Sequence, residues 1–179
     1  MATTTRRISL IPVYSSQYRR CISIKIAVFS DSHGEVEIMA EVLESWRPEL
    51  ALHLGDLERD AYALEKRFPR ISFKIVRGNC DSSALSNLNE LFFCDQVKIF
   101  MTHGHRYQVK NGLNALYEAG RSAGADLTLF GHTHKAYWDN SSGMYVLNPG
   151  SVCGNTSPAS WAQVEIDGKM IQSRIVPFF

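Results

Sequence analysis

The chain has few cysteines, no long apolar run and no large excess of charge. Its four cysteines, Cys21, Cys80, Cys94 and Cys153, form no CxxC pair and no small-domain disulfide spacing, which fits thiols in a reducing compartment. No stretch approaches the roughly 20 apolar residues that cross a bilayer. The early run from Ile8 to Tyr14 is short and broken by Pro12, a poor core for a signal peptide. A soluble, cytoplasmic protein without a membrane partner is expected. Formal net charge is +1, and Arg6, Arg7, Arg19 and Arg20 all precede Ile22, so the remainder without these four charges carries −3. A mildly acidic body lacks the footprint of a protein that follows a nucleic-acid backbone, so no nucleic acid is expected. A GxSxG elbow and a Cys-His nucleophile motif are also missing.

With 179 residues and 45% hydrophobic composition, the chain suits one globular domain with a substantial core. Residues 1–22 are rich in Thr, Ser and Arg, lack acid and show no periodicity. They read as a disordered N-terminal extension, with the domain spanning 23–179.

Within that domain a short apolar run ends abruptly in a polar cluster five times. The ends are Asp31-Ser32-His33, Gly55-Asp56, Gly78-Asn79-Cys80-Asp81, His103-Gly104-His105 and Gly131-His132-Thr133-His134. Each follows a segment that reads as a buried strand: Ile24 to Phe29, Leu50 to Leu54, Phe73 to Val76, Val97 to Met101 and Leu127 to Phe130. Strands buried on both faces belong to parallel sheets, where residues past the carboxyl ends line a ligand crevice. Helical spacing predicts helices over Val36 to Trp46, Ala61 to Phe68 and Leu113 to Ala123. After the fifth end the pattern shifts to short alternating segments, Tyr137-Trp138, Met144 to Leu147, Trp161 to Ile166 and Met170 to Val176, which read as antiparallel strands. The expected fold is α/β: mixed β-sheets, as one sheet or a packed sandwich, flanked by helices with all five clusters on one rim.

The residue types at those ends point to metal. Asp31 and His33 stand two apart, so on an extended chain both side chains point the same way, and His132 and His134 repeat the spacing. Asp56 supplies a carboxylate able to bridge two cations, Asn79 an amide oxygen and His103 another imidazole. The set holds four imidazoles, two carboxylates and one amide. Such nitrogen and oxygen ligation suits manganese, iron, zinc, nickel or cobalt better than calcium. Manganese is taken first for the cofactor, as two divalent transition-metal ions. Their four positive charges exceed the two carboxylates and draw phosphate oxygens, which fits hydrolysis of a phosphate ester.

The set DxH, GD, GN, HGH and GHTH resembles the calcineurin-like metallophosphoesterase superfamily, in its small bacterial and archaeal phosphodiesterase branch. The match runs from about Ile24 to the C-terminus. The resemblance implies that Asp31, His33, Asp56 and His134 hold one metal, while Asp56, Asn79, His103 and His132 hold the other. It also implies hydrolysis of small phosphodiesters by a hydroxide activated at the metal pair. A homo-oligomer is left open.

In the wider superfamily the residue after the metal-binding Asn is often a His that assists the leaving group. Here it is Cys80, followed by Asp81. A neutral thiol is a poor proton donor to an alkoxide, so esters with good leaving groups are expected to react best. Cys80, Asp81 and His105 are the candidate catalytic side chains, although His105 also reads as a loop hydrogen-bonding residue and Cys80 as a small residue fitted to a tight turn. His53, inside its strand, reads as support for the ligands. Asn148-Pro149-Gly150-Ser151 reads as a β-turn, of a kind that lies near the site in this branch. The competing reading is a catalytically silent interaction module on the same fold, like the retromer small subunit. That subunit departs from the ligand set, whereas this chain keeps every member.

Overall fold

Alternation along the first strand sorts its side chains between two cores. A computed structural model describes residues 23–82 and 85–178. There β1 (Ile24–Phe29) sends Ile26 and Val28 into one hydrophobic cluster and Ala27 and Phe29 into another, all four buried. The extension expected over residues 1–22 lies outside the described residues.

The first sheet has the order β10-β9-β1-β2-β3. β2 (Leu50–His53) and β3 (Ser72–Ile75) run parallel to β1, while β9 (Ser160–Asp167) and β10 (Met170–Pro177) close the other side antiparallel. The second sheet has the order β4-β5-β6-β8-β7, from β4 (Asn89–Cys94), β5 (Val97–Thr102), β6 (Leu127–Leu129), β8 (Tyr145–Asn148) and β7 (Tyr137–Asp139). Ile26, Val28, Leu52 and Val164 of the first sheet share a buried cluster with Ile99, Met101, Leu129 and Leu147 of the second. That is the sandwich interior.

Helices cover the outer faces. α1 (Val36–Trp46) and α2 (Glu58–Arg67) place Met39, Leu43 and Leu64 against Ala27, Phe29 and Ala51. On the opposite side α3 (Asn114–Ala123) packs Leu116 with Phe100 and Val146. Each such side chain removes roughly 1.5–3 kcal/mol of apolar surface energy from water, and the two sheets thereby become a fixed platform. Among the described residues no helix is long and apolar enough to cross a membrane.

The expected α/β architecture is observed, in its two-sheet form, with three differences of detail. β8 was expected to pair antiparallel; it pairs parallel with β6 and antiparallel only with β7. β4 was not anticipated, because its apolar residues fall on both faces: Phe92 packs toward the core while Leu91 and Phe93 face out. α2 begins at Glu58 rather than Ala61, since its amino end is capped from elsewhere in the chain. The five strand ends therefore divide between two sheets, three from one and two from the other.

Candidate metal centre

Asp31, His33, Asp56, His132 and His134 all adopt the left-handed backbone conformation, with φ of 53°, 46°, 61°, 66° and 59°. Side chains with a Cβ rarely sit there, and such strain gathers where function requires it. The chain leaving β1 is thus sharply turned rather than extended, which corrects the expected route by which Asp31 and His33 come to face the same way. Backbone bonds tie the turns together: Asp31 N–H donates to the Gly55 carbonyl (3.0 Å), and Gly131 N–H to the His103 carbonyl (3.1 Å).

Asp31, His33, Asp56 and His134 offer ligand atoms that all lie within 4.8 Å of one another. Asp31 is fully buried; its Oδ2 accepts hydrogen bonds from the Ser30 hydroxyl (2.5 Å) and the His132 N–H (3.1 Å). Its Oδ1 makes no hydrogen bond and lies 3.1 Å from His134 Nε2. Burial alone would raise the Asp31 carboxyl, but His134, His103 and the Ser30 hydroxyl hold it below the usual carboxylate range. His134 is shifted up by that same carboxylate. A buried carboxylate oxygen met by imidazole nitrogens alone is a place that a cation would satisfy.

The other half of the site is built on His103. Its Nδ1 lies 2.7 Å from the Leu54 carbonyl oxygen, which can only accept, so Nδ1 carries a hydrogen, and in the neutral ring Nε2 presents a lone pair. That lone pair faces Asn79 Oδ1 at 3.2 Å and Asp56 Oδ1 at 3.4 Å. The His132 ring centroid is 4.9 Å from that of His103. Burial, then the neighbouring His103 and Lys110, push His132 down to about 4, leaving a neutral imidazole. Nitrogen and oxygen atoms converging in this way fit a cation.

All seven sequence-derived ligand candidates are therefore brought to one rim. Residues 24–169 match the family description "Calcineurin-like phosphoesterase superfamily domain". The chain belongs to this superfamily. Among curated relatives it is 33% identical over 132 residues to the probable metallophosphoesterase YsnB of Bacillus subtilis, covering 72% of this chain and 75% of that one. It is 29% identical over 172 residues to phosphodiesterase YfcE of Escherichia coli, covering 80% and 89%. Among solved structures, a predicted phosphoesterase from Streptococcus pneumoniae aligns with TM-score 0.74 at 27% identity, covering 87% of this chain and 90% of that one. Vps29 from Entamoeba histolytica, complexed with zinc, aligns at 0.72 and 23% identity over 87% and 99%, a likeness of fold.

Against this superfamily background the three candidate catalytic residues have distinct placements. Both oxygens of Asp81 are engaged: Oδ2 accepts the N–H groups of Asp56 (3.1 Å) and Gly78 (2.8 Å), and Oδ1 those of Leu57 and Glu58 (2.9 Å each). It supplies the anionic cap that α2 lacks locally and fixes the backbone carrying Asp56. Cys80 is exposed, and its N–H donates to Asp56 Oδ1 (2.9 Å). Desolvation and the Asp56 carboxylate push the thiol up to about 11. His105 opens a 3₁₀ turn, His105–Tyr107, with its ring 5.5 Å from that of His103. Its Nδ1 is buried without a hydrogen bond, and burial lowers its pKa.

Support comes from His53 and the Asn148–Ser151 segment, as expected, and from Asp60, which the sequence left unmarked. His53 is buried, and its Nδ1 accepts the Gly55 N–H (3.3 Å), so Nε2 donates to the Ser32 hydroxyl at 3.1 Å. Ser32 in turn donates to Asp60 Oδ2 (2.8 Å), which also accepts the Gly34 N–H (2.7 Å). The Asp31–His33 turn is thereby gripped from below. No local signal distinguishes Asp60 from any acid in a helix's first turn. Asn148 donates to the Gly131 carbonyl (2.9 Å) and Thr133 Oγ1 (3.1 Å), and the Ser151 hydroxyl to the Asp31 carbonyl (3.0 Å). The Asn148–Ser151 segment, which leaves β8 without the expected β-turn, thus braces two of the ligand loops. A Cβ on Gly55 would lie 2.6 Å from Gly78 N, and one on Gly78 would run into the Asp56 carboxylate, so these loops meet backbone to backbone.

Proposed function

We propose that this protein is a phosphodiesterase that uses two divalent cations to hydrolyse small phosphodiesters. The observation that carries the reading is the position of Asp56, whose Oδ1 lies 3.4 Å from His103 Nε2 and whose Oδ2 lies 4.0 Å from His33 Nε2. One carboxylate thereby offers an oxygen to each half of the cluster. In this reading Asp31, His33, Asp56 and His134 hold one ion, and Asp56, Asn79, His103 and His132 the other. Manganese is the first choice, with nickel, zinc, iron and cobalt sharing the ligand preference. When bound, such a pair supplies Lewis acidity, acidifying a water and drawing charge from the phosphate oxygens.

The chain's own groups orient and tune. His132 is held neutral and ready to ligate, and His103 is fixed in one tautomer by the Leu54 carbonyl. Asp81 positions Asp56 through the backbone, and His105 faces the substrate beside His103. Cys80 keeps its proton, so the leaving group departs with little acid assistance and must be a stable anion. The relatives named phosphodiesterase, YfcE among them, support a diester over a monoester.

The decisive experiment strips metal and restores Mn, Ni, Zn, Mg or Co singly, assaying a bis-aryl phosphodiester beside an aryl monoester. Rescue on the diester, abolished by Asp56→Asn, is the expected result. Rescue by none of the metals would turn the assignment toward a silent interaction module, which the fold likeness to Vps29 keeps in view. Metal binding alone does not separate the two, because that Vps29 was itself crystallised with zinc.

A further inference from the structure

Beside the His132–His134 loop opens a cavity of ≈ 490 Å³, within the range that holds a small organic group. Thr133, the residue between the two imidazoles, forms one wall, so the cavity adjoins the metal centre. Val109, Leu113 and Phe130 give it an apolar floor, and Tyr137 closes one side. Val109 and Phe130 are buried and packed, which makes the floor rigid. The Phe130 and Tyr137 rings meet edge to face at 6.1 Å, and the Tyr137 hydroxyl is engaged by that of Tyr117 (3.1 Å). With Phe130 buried and Tyr137 half-exposed, the cavity offers an apolar base and one aromatic side that suit a ring-sized apolar group; a bare sugar would lay hydroxyls against them without partners.

The rim has the opposite character. Lys110 and Lys135 are exposed there, no carboxylate lines the cavity, and neither ammonium forms an ion pair among the described residues. A plain phosphodiester carries a single negative charge, which the metal centre itself attracts. Two further cations on the rim of the adjoining cavity have no second charge to meet in such a substrate.

We propose that this cavity receives one ester group of the substrate, a ring-sized apolar group bearing a second negative charge that Lys110 and Lys135 hold. The inference rests on the phosphodiesterase reading and adds a substrate class to it, the diester with an oxyanionic arm, whether carboxylate or phosphate.

The test compares three bis-aryl phosphodiesters, one unsubstituted, one with a ring carboxylate and one with a ring phosphate, on the full chain loaded with the rescuing metal. Each is assayed with wild type and with the double variant Lys110→Ala/Lys135→Ala. Taking ratios between the two proteins cancels the intrinsic reactivity of each ester. The preference in kcat/KM for a charged over the uncharged diester is expected to fall about fivefold to tenfold in the variant, the scale of two exposed ion pairs. Whichever charged diester loses more identifies the arm. Unchanged ratios overturn the subsite and leave the phosphodiesterase reading intact. If no metal supports turnover, that reading fails, and calorimetric binding of the ring-carboxylated diester decides the subsite alone. Weaker binding to the double variant upholds it, and equal binding overturns it.

Discussion

Asn79 presents its amide oxygen 3.2 Å from His103 Nε2, and when the His103 ring is neutral neither atom has a hydrogen to give the other. The Asn79 amide nitrogen is turned away toward Cys80 Sγ, and the His103 proton is spent on Leu54. Two acceptors held face to face are repulsive until a cation enters. On the two-cation proposal, His103→Ala or Asn79→Ala is accordingly expected to lower the metal content from two ions per chain to one, measured by elemental analysis after equilibrium dialysis. Equal loss of both ions would contradict the division of ligands.

Asp81 gathers four backbone N–H groups on one carboxylate. Asp81→Asn turns an amide donor toward two of them, so a destabilisation of about 1–3 kcal/mol is expected. A shift of the urea midpoint with unchanged slope is the readout, and a midpoint equal to wild type would deny Asp81 its anchoring role.

The Ser32–Asp60 pair acts on the metal only through the Asp31–His33 turn. Asp60→Asn and Ser32→Ala should weaken metal affinity about 10- to 100-fold, as removal of such supports does elsewhere. Competition with a fluorescent chelator measures this. Affinity unchanged, with lowered thermal stability only, would reduce the pair to a packing feature.

In the metal-free protein His132 titrates near 4 instead of its ordinary 6.5. Between those values the unfolded chain binds a proton that the folded chain refuses, so stability falls as pH drops from 6.5 toward 4. His134 has the opposite sign: its contribution is complete below its ordinary value and is lost as pH rises through the raised one. His132→Asn should flatten the acid side of a plot of melting temperature against pH, and an unaltered slope would contradict a neutral, half-buried imidazole.

Cys80, held at about 11, leaves the departing oxygen without a convenient acid. A series of aryl methyl phosphodiesters should show rates that fall steeply as leaving-group pKa rises. Cys80→His should make that dependence shallower, and a flat line for wild type would remove the thiol from the argument.

Much of this site was written into the chain at the level of strand ends, because an apolar run stopped by Gly, Asp, Asn or His is a local signal. What escaped was set by distant partners. α2 starts at Glu58, behind an N-cap Leu57 with no capping side chain, because Asp81, from another loop, does the capping. β8 looks like any alternating segment, and only β6 beside it decides its direction. Asp60 carries no mark in sequence, since its importance lies in Ser32 and Gly34 reaching it across the fold. The left-handed turns at Asp31 and His33 were hidden for the same reason: a spacing of two says nothing about φ.

The backbone contact between Gly55 and Gly78 welds two ligand loops into a single rigid base. Variation there is closed off, because even one added methyl pries the base apart. Descendants of this chain are free to drift at Lys110, Leu113 and Lys135, so new substrates should be reached by rebuilding the doorway while the hearth stays as it is.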